Sequence, residues 1–462
     1  MSSTGARVRA VLAVSTASCT ALALSAAAVL FYGYEHVNHK IKTFSSVGIA
    51  TSRPPAATPA APGAQAPLNI LLIGSDSRSG DNESLGGGTG VDGARSDTTI
   101  LLHISGDRQH ATGVSIPRDS IVDIPACEAN GQWYQPQYGA MFNSAFATGD
   151  LPGGNPICTQ NTVEAMTGIR IDHTIVMDFD GFAQMATDIG GVNVCVPPVD
   201  NTQLEQAYGV SLSPGMQTLS GQDALEYVRA REGFGDNSDI GRMLRQQAFL
   251  SALLKKLAGT NFYGDPIELY DLAEDAAGSI TVDQSLDSVG AMVLLALQFK
   301  DIPVSNIEFV TAPWQYDGAR VDLVQPDTDI LWQLLRDDDT LEGQNVSGAT
   351  ASAGATSGAS PTVSGDDAPS VTPSGEPLAP QDSIAATEAA TSPSATTSTS
   401  TESASPNPSD PYNPNGGDGS GDYGEYGASP GASMSISSIP SSITQNIRPA
   451  DSDACSDITY GS

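Results

Sequence analysis

Asn69-Ile-Leu-Leu-Ile-Gly74-Ser-Asp76-Ser-Arg78 is the stretch whose reading decides the fold class. A short apolar run ending in Gly reads as a buried strand, and the polar residues after Gly74 sit where α/β domains place ligand loops. Thr98 to Ile104 and Ala111 to Ile116 read as two more strands, joined by a polar turn at Gly106-Asp107. Helices then alternate with strands: helix Thr159–Thr167, strand His173–Met177, helix Asp180–Ile189, strand Val192–Val196. Two helices follow at Gly221–Tyr227 and Ser238–Leu257, the second amphipathic. Further helices are expected at Glu268–Ala277, Leu286–Gln298 and Thr328–Arg336, and strands at Ile307–Val310 and Arg320–Val324. The fold expected is α/β, a mixed central sheet flanked by helices, over residues 68–340.

Around this domain the composition changes. The chain of 462 residues carries 53 acidic and 20 basic side chains, a net charge of −33. That balance argues against nucleic-acid binding, which needs clustered Lys and Arg. Residues 10–34 are uncharged and long enough to cross a bilayer, with Arg7 and Arg9 before the run and Phe31, Tyr32 and Tyr34 at its far end. A cleaved signal peptide is the rival reading, with Ala26 and Ala28 near a cut, but apolar residues continue past that point. The expected organisation is a cytoplasmic N-terminus (1–9), an anchor (10–34), an Ala/Pro-rich linker (35–67), the domain, and a disordered Ser/Thr/Pro/Gly acidic tail (341–432). From Asp337 onward there are 17 acidic residues and one basic, too little apolar matter for a core. Apolar residues return in 433–462, which is expected to dock back onto the domain.

Cys19 lies in the span, leaving Cys127, Cys158, Cys195 and Cys455, an even number suited to disulfides outside the cytoplasm. Of the three pairings possible, Cys127–Cys158 closes a local loop and Cys195–Cys455 tethers the end of the tail. The cysteines and the tail together place the domain on the extracytoplasmic side.

The polar residues of the domain are unevenly spread. Arg95-Ser-Asp97-Thr opens the second strand and Ser115-Ile-Pro-Arg118-Asp119 closes the third. Tyr227-Val-Arg229-Ala-Arg231 would turn both arginines to one face if extended. Asp239, Arg242 and Gln246 share one helix face opposite its leucines, with Arg245 nearby. Each motif alone is explained by turn-capping acids and local ion pairs, and the helix face by solvation. Seven arginines in five short motifs of an acidic protein are selective placement. Two acids for a divalent cation beside an arginine cluster suit phosphoryl or pyrophosphate chemistry. His173 and His103 read as structural, the latter on a sheet surface. No nucleophile elbow or nucleotide loop is present, and Gly86-Gly-Gly-Thr-Gly90 lacks the Lys of one.

Taken in order, these motifs resemble the LytR-CpsA-Psr family. Thr167-Gly-Ile-Arg-Ile-Asp-His173, Asp178-Phe-Asp-Gly-Phe182, Gly190-Gly-Val-Asn-Val194 and Leu219-Ser-Gly-Gln-Asp-Ala-Leu225 extend the likeness across about 68–257. The resemblance implies a membrane-anchored enzyme that transfers a glycopolymer from a polyprenyl-pyrophosphate carrier to peptidoglycan, forming a phosphodiester with Mg²⁺. Position by position it implies Asp76 and Asp97 as metal ligands, and Arg95, Arg118, Arg229, Arg231, Arg242 and Gln246 on the pyrophosphate, with Arg78 in the same set. Asp119 and Asp239 are then either the base or the residues that orient Arg118 and Arg242. The Gly233–Ser238 stretch departs from the family pattern, and the cysteines resemble actinobacterial members. The alternatives are a pyrophosphatase acting on the same lipid and a lipid-binding or regulatory protein without turnover.

Overall fold

A computed structural model of the chain describes residues 20, 24–25, 28, 31–59, 62, 64–76, 94–151, 153–235, 237–259, 274, 277–342, 439–452 and 455. All belong to one compact unit, 1–350 with 430–462; a second unit, 351–429, lies outside the described residues. So do Arg78, the Gly86–Gly90 loop, most of the 10–34 span, most of the helix expected at 268–277, and nearly all of the 341–432 tail. Among the described residues no helix is long and apolar enough to cross a membrane.

The centre is an eight-stranded mixed sheet. Its strands are β1 (Lys42–Thr43), β2 (Leu68–Ser75), β3 (Ser96–Ile104), β4 (Ala111–Ser115), β9 (His173–Asp178), β12 (Ile280–Val282), β13 (Ile307–Thr311) and β16 (Arg448–Pro449), in the order β1-β12-β9-β2-β3-β4-β13-β16. β2 runs parallel to β9 and antiparallel to β3, and β4 runs parallel to β13. Strand β2 is apolar on both faces because both are covered. Leu71 and Ile73 join Phe142, Phe146 and Trp332 on one side; Ile70 joins Phe309, with Leu72, Leu250 and Leu254 packed on the other.

Short pieces complete the fold. Two-stranded antiparallel sheets pair β5 (Ile121–Ile124) with β8 (Gln137–Met141), β6 (Cys127–Ala129) with β7 (Gln132–Tyr134), β10 (Val192–Val196) with β11 (Gly215–Leu219), and β14 (Trp314–Asp317) with β15 (Arg320–Leu323). The strand expected at Arg320–Val324 therefore belongs to a peripheral hairpin. Helices of the domain include α1 (Ser144–Ala147), α2 (Pro156–Thr167), α3 (Phe179–Asp188), α4 (Asn201–Tyr208), α5 (Gly221–Arg229), α6 (Asp239–Gly259), α7 (Val289–Ala296), α8 (Asp327–Arg336) and α9 (Ser441–Thr444), and residues 31–38 before the domain are also helical. Helix α4 buries Leu204 and packs Tyr208 one turn on against the same core; Asp200 starts it by accepting from the Thr202 and Gln203 N–H groups.

Three sequence expectations need amending. Part of the 35–67 stretch is built into the domain: β1 pairs with β12, Phe44 packs on the core, and Arg53 forks onto buried Glu164. His103 faces no open sheet surface; it is buried between the Asn69 amide and the Asp338 carboxylate. The third is the Arg229/Arg231 pair, taken up below. The cysteines pair as Cys127–Cys158 and Cys195–Cys455. The C-terminal segment does return to the domain, with Ile443 and Ala450 buried and β16 on the sheet edge.

Candidate active site

The site forms where three strand ends meet. Antiparallel pairing brings the exit of β2, the entrance of β3 and the exit of β4 to one edge. On β3, Thr98 faces Gly74 and Ser96 faces Ser75, so Asp97 is the extra residue of a β-bulge, a device that re-aims a side chain. Gly74 sits close against that bulge, where a Cβ would come 3.1 Å from the Thr98 Cβ, a tight contact. Beyond the ladder, Asp76 N–H donates to the Arg95 carbonyl at 3.0 Å and Arg95 N–H donates to the Asp76 carboxylate. This tie fixes the Asp76 carboxylate beside β3 and leaves the Arg95 side chain exposed.

Arg118 stands at the centre of the charges. Its Nη1 pairs with Asp97 Oδ1, and its Nε lies 3.1 Å from Asp239 Oδ1 and 3.6 Å from Asp119 Oδ2. Burial alone would lower its pKa; the three carboxylates more than offset that and hold it above the ordinary arginine value. Arg242 reaches the same group from α6, with Nη2 2.7 Å from Asp239 Oδ1 and 3.0 Å from the Asp97 carbonyl. Arg242 is 2% exposed, and burial first, then Arg118 and Arg231, push its pKa down against the pull of Asp239 and Asp97. The polar face of α6 is thus a buried, charged seam rather than a solvated surface. The fit is incomplete: Arg118 Nε, Arg242 Nε and both Asp239 oxygens are buried without an aligned hydrogen bond. Such atoms are costly unless a further polar group meets them.

The arginine pair at 229 and 231 is not an extended i, i+2 pair. Arg229 ends α5 and forks onto Glu226 one turn back, at 2.9 and 3.1 Å, while Arg231 lies beyond the Ala230 cap. The helix continues to Arg229 because this Glu–Arg spacing suits a helical turn. Arg229 also stacks over Phe179 at 4.8 Å and Tyr208 at 5.6 Å. Burial raises the Glu226 pKa against the opposing pull of Arg229. Gln246 shares the face of Arg242, but its amide N–H donates to the Val228 carbonyl at 3.0 Å.

Beneath these groups lies an apolar cavity of about 220 Å³. Its walls come from the sheet (Leu72, Ile100, Ile175) and from α3, α5 and α6 (Phe182, Val228, Phe249), and Asp97, Arg229, Arg242 and Gln246 border it. Sequence reading placed the polar border and could not assign this lining. A residue lining an empty pocket has the same apolar signature as one in the core; only the Asp178-Phe-Asp-Gly-Phe182 motif marked part of it. Arg245, on the same helix, is structural: it is 1% exposed and donates to the Tyr227 and Ala230 carbonyls. His173 lies at the far end of β9, beside Asp283 and Ser285.

Asp76 and Asp97 offer hard carboxylate oxygens from neighbouring strand ends. Among the described residues no group of three or more His, Cys, Asp or Glu is placed to hold a metal. Two carboxylates that leave the remaining positions to water and phosphate oxygens suit Mg²⁺ chemically.

The arrangement can be set beside known proteins. The LytR_cpsA_psr family model matches residues 34–336. A probable cell wall biosynthesis protein, LcpB of Corynebacterium glutamicum, is 34% identical over 271 residues, covering 57% of this chain and 60% of LcpB. This chain thus spans less than two thirds of LcpB's own length. TagT of Bacillus subtilis, named polyisoprenyl-teichoic acid–peptidoglycan teichoic acid transferase, is 30% identical over 246 residues, covering 50% of this chain and 69% of TagT. Its crystal structure aligns at 23% identity and a TM-score of 0.44, over 63% of this chain and 99% of that one. The match to the family model over residues 34–336, most of the domain, makes this chain a member of the LytR-CpsA-Psr family.

Proposed function

We propose that the protein transfers a glycopolymer from a polyprenyl-pyrophosphate carrier to a sugar hydroxyl of peptidoglycan. The observation that carries this reading is one cavity with two characters: an apolar interior bordered by Arg229, Arg242 and Asp97. A long isoprenoid tail with a pyrophosphate head has the same two characters in the same order. The names of TagT and LcpB support the same class of activity.

In this reading the hydroxyl oxygen of the acceptor attacks the phosphorus that bears the glycan. The bridging P–O bond breaks, polyprenyl phosphate leaves, and a phosphodiester joins glycan to peptidoglycan. The hydroxyl proton passes to a carboxylate. Asp119 suits that role, because it is the most open of the three acids around Arg118, with 23% of its side chain exposed. Asp239, held between Arg118 and Arg242, orients both. Arg118 and Arg242 neutralise charge on the pyrophosphate oxygens, and Arg229 and Arg231 extend that field toward the head group. Asp76 and Asp97 would hold Mg²⁺. Bound there, the ion would supply Lewis-acid neutralisation of the phosphate oxygens. Residues 10–34 anchor the chain in the membrane with the domain outside, a reading supported by their apolar composition and by the two disulfides.

The cavity gives a direct test. Met185→Trp narrows it from α3 and removes no charged group. This change should weaken binding of a long polyprenyl pyrophosphate about tenfold or more, since each buried methylene contributes about 0.8 kcal/mol. A substrate with a short isoprenoid should react equally well with both proteins. An unchanged preference for the long chain would separate the cavity from the lipid.

A further inference from the structure

On the other side of α6 the chain builds a second polar cavity, of about 450 Å³. Lys255 and Lys256 line it from α6, Asn193 from β10, and Arg448 and Ser452 from the returning C-terminal segment. The two lysines have local explanations. They lie near a helix C-terminus, where cations are favoured; Lys255 donates to the Ser452 carbonyl, and Lys256 to the carbonyls of Gly190 and Gly191.

Arg448 has none. It is 7% exposed, its Nε has no hydrogen-bond partner, and among the described residues no carboxylate lies within ion-pair distance of it. The Ser452 hydroxyl beside it is also buried and unmatched. A buried guanidinium with no counter-ion among the described residues is expensive unless a further anion meets it, and this one stands with two lysines in a chain of net charge −33.

We infer that this cavity is a binding site for a phosphate-type oxyanion. The guanidinium fork and the Ser452 hydroxyl supply directed donors, and the two ammonium groups add positive charge that suits a phosphate, singly charged as a diester or up to doubly charged as the free ion. The site exists only because the C-terminal segment docks. Phe309 pairs with Arg448 across the sheet edge, and the Cys195–Cys455 disulfide fastens the segment beyond Ser452 to β10, the strand that carries Asn193. This site is independent of the transfer reaction and shares no lining residue with the catalytic cavity.

Equilibrium dialysis of the full chain in detergent against labelled inorganic phosphate tests the proposal. The wild type should bind one equivalent that Arg448→Gln loses and that Lys255→Gln holds about tenfold more weakly, with uptake at the catalytic cluster unchanged. Phosphate should raise the melting temperature of the wild type more than that of Arg448→Gln. Equal uptake by wild type and Arg448→Gln would overturn the assignment. So would a wild type whose only phosphate is lost in Arg118→Ala. If Arg448→Gln does not fold, Lys255→Glu decides, and undiminished uptake there overturns the proposal equally. Repeating the titration with bis-glycerol phosphate separates the two sources of the anion. Binding of the diester assigns the site to a phosphodiester polymer, and binding of phosphate alone assigns it to the free ion.

Discussion

Arg118→Ala is expected to lower glycopolymer transfer about 10²- to 10³-fold, the cost typical of removing one well-placed charge-stabilising donor. The loss should fall mainly on kcat, because the apolar cavity walls are untouched. Two effects combine. The substrate loses a cation held above its ordinary pKa by the carboxylates around it, and Asp97, Asp119 and Asp239 lose the charge that keeps them together. Arg118→Lys should not restore the rate. The guanidinium reaches Asp97 through Nη1 and Asp239 through Nε, two directions that a single ammonium cannot serve at once. Steady-state kinetics on a polyprenyl-pyrophosphate-linked saccharide checks this, and a Lys variant within about threefold of wild type would remove Arg118 from the chemistry.

Arg245→Ala should destabilise the fold by about 2–5 kcal/mol, the range for a large-to-small change that leaves a cavity and unmatched buried carbonyls. Nε donates to the Tyr227 carbonyl at 2.9 Å, Nη2 donates to the Ala230 carbonyl, and the guanidinium packs on Phe234 with 4.1 Å to the ring centre. Alanine would leave two buried carbonyls without these donors and a cavity against Phe234. These carbonyls bracket Arg229, so the variant should also bind pyrophosphate less tightly than its folded fraction explains. Denaturant unfolding measures the first effect, and a loss under about 1 kcal/mol would show that water replaces the guanidinium freely.

Much of this site was legible in the sequence because strand ends and charged motifs coincide. Asp76, Arg95, Asp97, Arg118 and Asp119 each follow or precede an apolar run, and antiparallel pairing brings those ends together. The α6 face was legible as a spacing, Asp239, Arg242 and Gln246, but its burial was not. Sequence spacing says which residues share a face; it does not say that α5 and the strand ends cover that face. The same limit hid Arg245, which looks like any helix arginine until its two carbonyl partners are in place. The shared face of Arg229 and Arg231 held only for an extended segment, and the Glu226–Arg229 pair instead continues the helix through Arg229. Likewise, the residues from Ile41 to Arg53 have the composition of a linker, and only β12 and Glu164 turn them into part of the domain.

The central claim is that the cluster and the cavity below it perform transfer to a glycan. The most direct measurement incubates the full chain in detergent with Mg²⁺, a polyprenyl-pyrophosphate-linked saccharide and un-crosslinked peptidoglycan strands, then reads the glycan by mass spectrometry. Wild type should add the saccharide through a phosphodiester and release polyprenyl phosphate, and Asp97→Asn should do neither. Saccharide phosphate released with no label on the glycan, or tight lipid binding with no turnover, would contradict the account.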